Sequence, residues 1–425
     1  MNTHRMLCFA ITVALAAGSA AAAAEIAVDA KAAAGGGPPY AALADALNAA
    51  AAGDTIVLAA GQYTFATPKT AFDGKIVTIK AAKDAAGKVT VSGMSRVGTS
   101  FLRFEGLIIP EPVRVTKAKW VQFVRCTFGP TETQSHWGLK FEDCDYVGAY
   151  GCAVKTFSSS QMTLGGMRHA EYRFNELSGG ASDAFQGKGD DILIEGNWVH
   201  DYKPVPKAHP DGIQLADTRR LTVRGNVFDC PNMQTFFFSW TEKETVYEDF
   251  VLENNVCTTA AYHGLTTHPS TAMVIRNNLF ICDPKHPSGA AAINFKNMKG
   301  KCTVQNNLFW QLSAEPRAED KFSNNIYMQK HWKSGLLGEA AILSTPEACF
   351  VDRAKRDYRP KADSPSVGAG AAGTAPEVDI LGRKRPKDKP SIGPIEPQKD
   401  DKPFMEMWKA YFTKMQAEVA PPEPK

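Results

Sequence analysis

A short motif centred on asparagine recurs through the middle of the chain at nearly constant spacing. The segments ILIEGNWVHD, LTVRGNVFDC, FVLENNVCTT, MVIRNNLFIC and CTVQNNLFWQ align on one Asn. The aligned residues, 29, 29, 23 and 29 positions apart, are Asn197, Asn226, Asn255, Asn278 and Asn307. AEYRFNELSG adds Asn175 upstream, and FSNNIYMQ suggests a last turn near Asn325. A repeat of 22–29 residues therefore runs from about 120 to 330.

Each repeat holds short runs of β-branched and aromatic residues separated by Gly, Asn and Asp. No repeat contains the longer helical pattern that a βαβ unit needs. Short strands at this period predict an all-β parallel solenoid whose coils stack ~4.8 Å apart. We expect the aligned asparagines to form one inward ladder, because a buried amide must hydrogen-bond its neighbours.

Two cysteines occupy the same column as the asparagines. VQFVRCTFGP and VGAYGCAVKT place Cys126 and Cys152 on successive turns. They form the one pair for which we consider a disulfide, and a stack of two thiols is the alternative. We expect the other cysteines to be interior packing, because the chain contains no CxxC spacing and no Cys/His metal pattern.

The first 24 residues have the pattern of a secretory signal peptide. Arg5 precedes an apolar run from Met6 to Ala17, and small residues follow up to Glu25. This predicts a secreted protein, periplasmic or extracellular after cleavage. No later run approaches ~18 apolar residues, so we expect no transmembrane segment. The formal net charge of +3 gives no reason to expect a nucleic-acid partner, and we expect a monomer.

The two ends of the repeat region resemble those of a known superfamily. Residues 40–65 (YAALADALNAAAAGDTIVLAAGQYTF) give an amphipathic helix, GDTI, a strand and GxY. The closing stretch at 357–396 reads DYRPKADSPSVGAGA…DILGRKRP…SIGPIE. Both are similar to the pectate-lyase-like superfamily, which includes polysaccharide lyases, epimerases and polygalacturonase-like proteins. The resemblance implies a single-stranded right-handed parallel β-helix and an exported protein.

This resemblance gives a domain division. The β-helix domain is expected at 25–396, with a helix cap at about 38–52, regular coils at about 55–330 and a closing segment at 331–396. Residues 397–425 form a linker and a C-terminal helix, which we expect to pack back on the solenoid. Such caps cover the open sheet edges at the ends of a solenoid.

Polar residues cluster on one predicted outer face. Aligning SDAFQGKGDD, HPDGIQLADT, YHGLTTHPST and AAINFKNMKG fixes Phe185, Ile213, Leu265 and Ile293 as inward residues. Their alternating neighbours then form outward columns, which are Asp183, Asp211 and His263; Gln186, Gln214, Thr266 and Asn294; and Lys188, His268 and Lys296. Lys207 and His209 arrive from the preceding loop, and QTFFFSWTEKE brings Phe238 and Trp240 to the same area.

A polar face with basic and aromatic residues suits an anionic polysaccharide. Trp240 can stack on a sugar ring, and cationic side chains can bind uronate carboxylates. A lyase or C5-epimerase removes the proton next to the uronate carboxylate, whose charge must be neutralised first. We predict His209 or His263 as the proton-transfer group and Lys188 or Lys207 as neutraliser or alternative base. The predicted site is completed by His268, Gln186, Gln214, Asn294, Lys296 and, from the edge, Arg219.

Asp211 has two further roles to consider. It can orient a histidine, or it can bind Ca²⁺ together with Asp183, because Ca²⁺ prefers several oxygen ligands. A glycoside hydrolase that uses Asp183 and Asp211 is an alternative, since hydrolysis needs two carboxyl groups about the scissile bond. HPDG and YHGL resemble polygalacturonase motifs, but FFFSW stands where that family has an Asp-Asp pair. A non-catalytic glycan-binding or surface β-helix is the remaining alternative.

Other polar pairs are secondary candidates. His200–Asp201 follows a ladder turn, and Asp190–Asp191 lies at a turn between strands. Arg219–Arg220 can bind a substrate carboxylate from the edge of the face. Arg168–His169 can extend the groove by one turn.

Overall fold

The computed structural model describes residues 23–33, 37–129, 137–203, 209–238, 245–261, 263–267, 271–285, 291–295, 299–313, 317–329 and 337–424. The predicted signal peptide lies almost entirely outside these residues. The described part is built from short strands that pair in parallel with the strands of neighbouring coils. This confirms the all-β parallel β-helix predicted from the repeat.

The N-terminal strands are β1 (Glu25–Val28), β2 (Thr55–Leu58), β3 (Gly61–Thr64), β4 (Val77–Ala81), β5 (Val89–Ser92), β6 (Leu102–Glu105), β7 (Ile108–Ile109), β8 (Val113–Thr116), β9 (Val121–Val124) and β10 (Thr127–Phe128). The central strands are β11 (Leu139–Glu142), β12 (Asp145–Tyr150), β13 (Ala153–Lys155), β14 (Met162–Arg173), β15 (Glu176–Ser178), β16 (Phe185–Glu195), β17 (Trp198–His200), β18 (Asp211–Arg224), β19 (Val227–Asp229) and β20 (Gln234–Phe238).

The C-terminal strands are β21 (Tyr247–Glu248), β22 (Phe250–Glu253), β23 (Val256–Thr259), β24 (His263–Thr267), β25 (Met273–Arg276), β26 (Leu279–Cys282), β27 (Ala292–Phe295), β28 (Cys302–Gln305), β29 (Leu308–Phe309), β30 (Gln311–Leu312), β31 (Lys321–Ser323), β32 (Ile326–Tyr327), β33 (Ile342–Leu343), β34 (Phe350–Asp352) and β35 (Asp357–Pro360). The helices are α1 (Leu43–Ala49), α2 (Pro346–Cys349) and α3 (Phe404–Glu418).

The strands line up on three faces. The first face contains β8, β11, the first halves of β14, β16 and β18, and then β20, β24, β27 and β30. The second face runs from β1 through β2, β4, β6, β9, β12 and the second halves of β14, β16 and β18 to β22, β25, β28 and β31. The third face is a separate sheet that runs from β3 to β33.

The asparagine ladder is present as predicted. Asn175 Nδ2 donates to Asn197 Oδ1 over 2.9 Å. The same bond continues through the remaining asparagines, which are Asn226, Asn255, Asn278, Asn307 and Asn325. All of them are fully buried. The ladder therefore satisfies the buried amides at the corner between the second and third faces.

The two cysteines of this column extend the ladder. The backbone N–H of Cys152 donates to Asn175 Oδ1 over 2.9 Å. Cys126 and Cys152 are buried free thiols on neighbouring coils, and each donates to a backbone carbonyl. Burial, reinforced by the neighbouring Cys152 thiol, raises the pKa of Cys126. The thiol-stack alternative is therefore the arrangement seen, and the cysteines of the described residues are interior packing.

The ends of the solenoid are covered. The α1 helix is shorter than the predicted cap and buries Leu43, Ala46 and Leu47 against the first coils. Stacked strands extend beyond the predicted 55–330, since β1 pairs with β2 and β33 pairs with β32. The α3 helix packs on the outer side of the asparagine corner through Phe404, Trp408 and Phe412. The described helices include none that is long and apolar enough to cross a membrane.

Candidate functional site

The outer column of the first face has the predicted register. Gln186, Gln214, Thr266 and Asn294 lie in one row across the coils, with Phe237 between the second and third of them. The amides of this row are linked, because Gln186 Nε2 donates to Gln214 Oε1 over 2.9 Å. Gln186, Gln214 and Phe237 are partly exposed and offer two amides and one aromatic ring to an extended ligand. The predicted exposure is wrong for Thr266 and Asn294, which are only 0% and 6% exposed.

Phe237, and not the predicted Phe238, is the aromatic residue of this face. The prediction put Phe238 on this face, but Phe238 is fully buried in the core. The reason is the register, since Phe236 pairs with inward Ile213 and so turns Phe237 outward. The ring of Phe237 meets the His263 imidazole edge to face at 5.7 Å.

Lys188 stands at an irregularity in β16. It lies between Gly187 and Gly189, where the pairing with β18 shifts by one residue. Gly187 has φ 139°, and a Cβ there would lie 1.8 Å from the carbonyl oxygen of Leu164. A side chain is therefore excluded at this position. Bulges of this kind re-aim a neighbouring side chain and are common beside active sites.

A groove of about 680 Å³ follows the first face at Lys188. Its cationic and amide side chains are Lys140, Lys188, Gln186 and Gln214. The remaining lining residues are small, acidic or backbone-presenting and include Glu142, Thr163, Gly165, Ala216, Asp217 and Thr245. Lys140 and Glu142 were not predicted as site residues, although LKFEDC at 139–144 has the alternation of the neighbouring coils.

One carboxylate of the groove is held by two cations. Arg114 Nε donates to Glu142 Oε2 over 2.6 Å, and Lys140 Nζ lies 2.5 Å from Glu142 Oε1. Burial alone would raise the pKa of Glu142, but the hydrogen bonds from Lys140 and Arg114 hold it below its ordinary value. Glu142 is therefore ionised at neutral pH and fixes the position of the Lys140 ammonium. Lys140 also lies 4.9 Å from the centre of the Trp137 ring.

Asp183 and Asp211 are not outward residues. They are only 3% and 1% exposed, so the predicted exposure is wrong for both. Asp183 lies two residues before β16 and Asp211 is the first residue of β18, where the chain turns from the third face onto the first and the alternation of a strand is not yet established. Asp183 Oδ1 accepts the Asp211 backbone N–H at 2.8 Å. Asp211 Oδ1 and the neighbouring Gln234 Oε1 are buried without a hydrogen-bond partner.

Burial shifts both of these carboxyl groups towards the protonated form. It raises the pKa of Asp183 to about 6. Burial, with the charge of Asp183 added, raises the pKa of Asp211 to about 8. The two carboxyls therefore titrate near neutral pH, although they stand at the edge of the first face and away from its exposed surface.

Replacing Asp211 by Asn is expected to stabilise the protein more at pH 9 than at pH 5. The folded-state pKa of about 8 lies above the ~3.9 of an unfolded aspartate. The folded state thus holds more protons between these values, and stability falls as the pH rises through that window. A neutral asparagine at this position carries no such penalty. We expect a gain on the order of a few kcal/mol at pH 9 relative to pH 5, measured by urea unfolding in metal-free buffer.

Asp363→Asn is the matched control, because Asp363 is exposed. It should leave the pH dependence of unfolding unchanged. An Asp211→Asn effect of equal size at pH 5 and pH 9 would show that Asp211 does not titrate in this window.

His263 is oriented by two neighbours. Its Nδ1 lies 2.6 Å from Thr266 Oγ1 and 3.2 Å from Asn294 Nδ2, which donates to it. An Nδ1 that accepts a hydrogen bond leaves the proton of the neutral ring on Nε2. His263 in this tautomer presents its Nε2–H group as a hydrogen-bond donor. His209 is exposed at the start of the turn into β18.

The predicted cluster is spread over the first face. Three coils separate the rows of Lys188 and His263, which corresponds to ~14 Å along the axis. Asp183 precedes Lys188 by five residues, or ~15 Å of extended chain. Lys188 is therefore grouped with Gln186 and Gln214, whereas His209, Asp211 and Asp183 stand at the opposite edge. Lys207, Trp240, His268 and Lys296 lie outside the described residues.

The secondary candidates are engaged in ion pairs. Arg219 lies on the second face, with its Nε 3.3 Å from Glu248 Oε2. Arg220 binds Asp191 through two hydrogen bonds of 2.5 and 2.9 Å. These contacts tie both arginines to the sheet and away from the groove.

His200 and His169 make similar pairs on the other two faces. On the third face, His200 Nδ1 lies 2.7 Å from Asp201 Oδ2. His169 Nδ1 lies 2.7 Å from Asp145 Oδ1 on the second face.

A calcium site at Asp183 and Asp211 does not fit the described residues well. Ca²⁺ takes six to eight oxygen ligands, and the two carboxylates with the Gln234 amide oxygen supply too few. Among the residues the structure describes, no three His, Cys, Asp or Glu side chains are grouped as metal ligands. We therefore assign no step to a metal ion.

Comparison with known proteins identifies the fold. No family model matches the sequence, and no curated protein matches it. The solved structure of pectate lyase Pel9A is 13% identical with a TM-score of 0.54 and covers 88% of this chain and 96% of its own.

Two more distant structures also match. The alginate lyase AlyGC (14% identity, TM-score 0.42) covers 71% of this chain and 52% of its own, and a rhamnogalacturonan lyase (11%, 0.42) covers 88% and 94%. The chain thus has the parallel β-helix fold of pectate lyase Pel9A.

Proposed function

We propose that this protein is a polysaccharide lyase that cleaves an anionic, uronic-acid polymer by removing the C5 proton. The observation that carries the proposal is Lys188, placed by a glycine-flanked bulge in a groove with Lys140, Gln186 and Gln214. A C5-epimerase shares the first step of this reaction. The solved structure of the same fold, Pel9A, is a pectate lyase, which supports the proposal.

Lys188 is the group that we assign as base. Its Nζ takes the C5 proton, and the C5 electron pair forms a C4=C5 double bond as the bond from C4 to the glycosidic oxygen breaks. The departing oxygen takes a proton from the Lys188 ammonium or from water. An amine must be deprotonated before it can act as a base, so kcat/KM should rise with pH.

The substrate carboxylate is neutralised from the same groove. Lys140 is fixed by Glu142 and presents an ammonium group to the face that carries Lys188. Stabilising the carboxylate charge lowers the barrier to the carbanion-like transition state. The amides of Gln186 and Gln214 supply hydrogen bonds that position the sugar units.

The hydrolase alternative has less support. Two carboxyl groups must reach the scissile bond from opposite sides. Asp183 and Asp211 are buried instead, and their carboxyl groups do not line the groove. Two other carboxylates line it: Glu142 is engaged by Arg114 and Lys140, and Asp217 Oδ1 lies 3.9 Å from Arg219 Nη2.

The test is incubation with polygalacturonate, polymannuronate, polyguluronate and a neutral glucan. A lyase produces ultraviolet absorbance from the unsaturated product together with new reducing ends. Reducing ends alone would indicate a hydrolase, and inverted C5 without cleavage would indicate an epimerase. Turnover should weaken with added salt as the Debye length falls below ~10 Å. Turnover of the neutral glucan that is indifferent to salt would contradict the proposal.

A further inference from the structure

The second face carries a trough that the proposed reaction does not use. It has a volume of about 770 Å³ and lies on the second halves of β14, β16 and β18. Its floor is an in-register row of Glu171, Leu193 and Thr222. The bends in these strands separate the trough from the groove of the first face.

One wall of the trough is a stack of rings. Trp120 and Tyr146 are parallel within 5° at 4.4 Å, and Tyr146 and His169 are parallel within 4° at 4.4 Å. All three residues have left-handed backbone conformations, with φ between 52° and 55°. Their ring faces cover one another, so the stack presents edges outward, and Tyr146 remains 38% exposed. The Tyr146 hydroxyl and the edge of the Trp120 indole can therefore hydrogen-bond a ligand.

The C-terminal segment closes one end of the trough, because it is held by Gln122 and Arg103, which continue the row of the floor on the preceding coils. The Pro422 carbonyl accepts a hydrogen bond of 2.7 Å from Gln122 Nε2, and Glu423 Oε1 lies 2.6 Å from Arg103 Nη2. These two contacts fix the segment beside the floor. The result is a trough that follows the floor row across the coils of β14, β16 and β18 and is closed at the end where Pro422 and Glu423 lie.

The charges of the trough disfavour a uronate. Its two arginines are paired, because Arg220 binds Asp191 and Arg224 Nε lies 2.6 Å from Glu195 Oε1. The described lining residues include three carboxylates, of Glu171, Asp191 and Glu423, against these two arginines. The nearest cation to Glu171 is more distant, since Arg173 Nη1 is 3.9 Å away, and Glu171 also has a hydrogen bond to the Tyr150 side chain. Burial raises the pKa of Glu171.

From this lining we infer that the second face binds a neutral oligosaccharide. Carboxylate oxygens and the Tyr146 hydroxyl can hydrogen-bond sugar hydroxyls, and the Leu193 side chain can cover the apolar side of a sugar. An anionic sugar would place its carboxylate against Glu171, Asp191 and Glu423. The two faces thus take chemically different parts of a polysaccharide, the uronate backbone on the first and neutral units on the second.

The experiment is calorimetric titration with neutral hexasaccharides of galactose, arabinose and glucose, and with hexagalacturonate. We expect one neutral hexasaccharide to bind with a change in tryptophan fluorescence. Glu171→Gln should weaken that binding about tenfold or more, because a charge-assisted hydrogen bond contributes ~1.5–3 kcal/mol. Tyr146→Phe keeps the ring stack, loses only the hydroxyl and should weaken binding about fivefold.

Matched controls separate this site from the proposed active site. Glu339→Gln, at an exposed glutamate elsewhere, should bind as the wild type does. Lys188→Met should retain neutral-sugar binding, and Glu171→Gln should retain lyase turnover on short uronates. The inference is overturned if no neutral hexasaccharide binds or if hexagalacturonate competes at the same site. It is also overturned if a basic peptide binds more tightly than every neutral hexasaccharide. The same holds if Glu171→Gln and Tyr146→Phe both fold and bind the hexasaccharide as tightly as the wild type.

Discussion

Lys188→Met is expected to lower kcat/KM on the best uronate polymer by about 10²–10⁴-fold, which is the usual contribution of a positioned proton-transfer group. Methionine keeps the length and most of the apolar contact of lysine but cannot accept a proton. The bulge at Gly187 and Gly189 should be unaffected, because Lys188 is exposed and contributes no packing to the core. The melting temperature should therefore stay within about 2 °C of the wild-type value.

Lys155→Met is the matched control. Lys155 is also exposed and lies at the end of β13 on the third face, away from the groove. We expect wild-type turnover. Lys140→Met should have a smaller effect than Lys188→Met. We expect KM to rise, because the substrate carboxylate loses a cationic partner while the base Lys188 remains. If Lys188→Met retains more than about a tenth of wild-type kcat/KM, proton abstraction belongs to another group. The residues to examine next are His209 and the neighbouring Lys207.

The parts of the structure that repeat along the chain could be predicted from the sequence. Each asparagine of the ladder must satisfy the same buried hydrogen bonds, so Asn197, Asn226 and Asn255 recur within the same strand pattern. The row of Gln186 and Gln214 followed from the same alignment. The period of the repeat predicts how neighbouring strands are aligned, and this alignment determines which side chains lie on the same face.

Whether a side chain at a corner of the solenoid is buried or exposed could not be predicted from the repeat. Asp183 lies just before β16 and Asp211 begins β18, at a corner where the chain direction changes and alternation does not separate inside from outside. The sequence therefore assigned them to a surface from which they are hidden. Phe237 was missed for a related reason, because three consecutive phenylalanines leave the inward position ambiguous by one residue.

The ring stack on the second face could have been predicted from the spacing of its residues. Trp120, Tyr146 and His169 are 26 and 23 residues apart, which is within the period of the repeat. The three residues differ in type, so a search for identical residues passes over them. The trough also depends on Pro422 and Glu423, some 200 residues from Thr222, and no local pattern predicts that contact.

The largest effect on stability is expected from Asn226→Ala. Asn226 Nδ2 donates to the Ile194 carbonyl at 2.9 Å and to Asn255 Oδ1 at 2.9 Å. Its Oδ1 accepts the backbone and side-chain N–H groups of Asn197 at 2.8 and 2.9 Å. Alanine leaves these buried groups without partners, at about 1–3 kcal/mol for each unsatisfied group. We expect a loss of about 3–6 kcal/mol, a large share of the ~5–15 kcal/mol that stabilises a typical domain.

A graded series tests the ladder itself. Asn226→Cys should cost less than Asn226→Ala, because Cys152 in the same column donates from its thiol to the Phe123 carbonyl at 3.3 Å. Asn232→Ala, at an exposed turn, should be nearly neutral. Urea unfolding and the yield of soluble protein are the measurements. A loss below about 1 kcal/mol for Asn226→Ala would mean that water enters the corner and replaces the amide, since a small buried solvent molecule can restore such hydrogen bonds. In that case the ladder would set the register of the coils without supplying much of their stability.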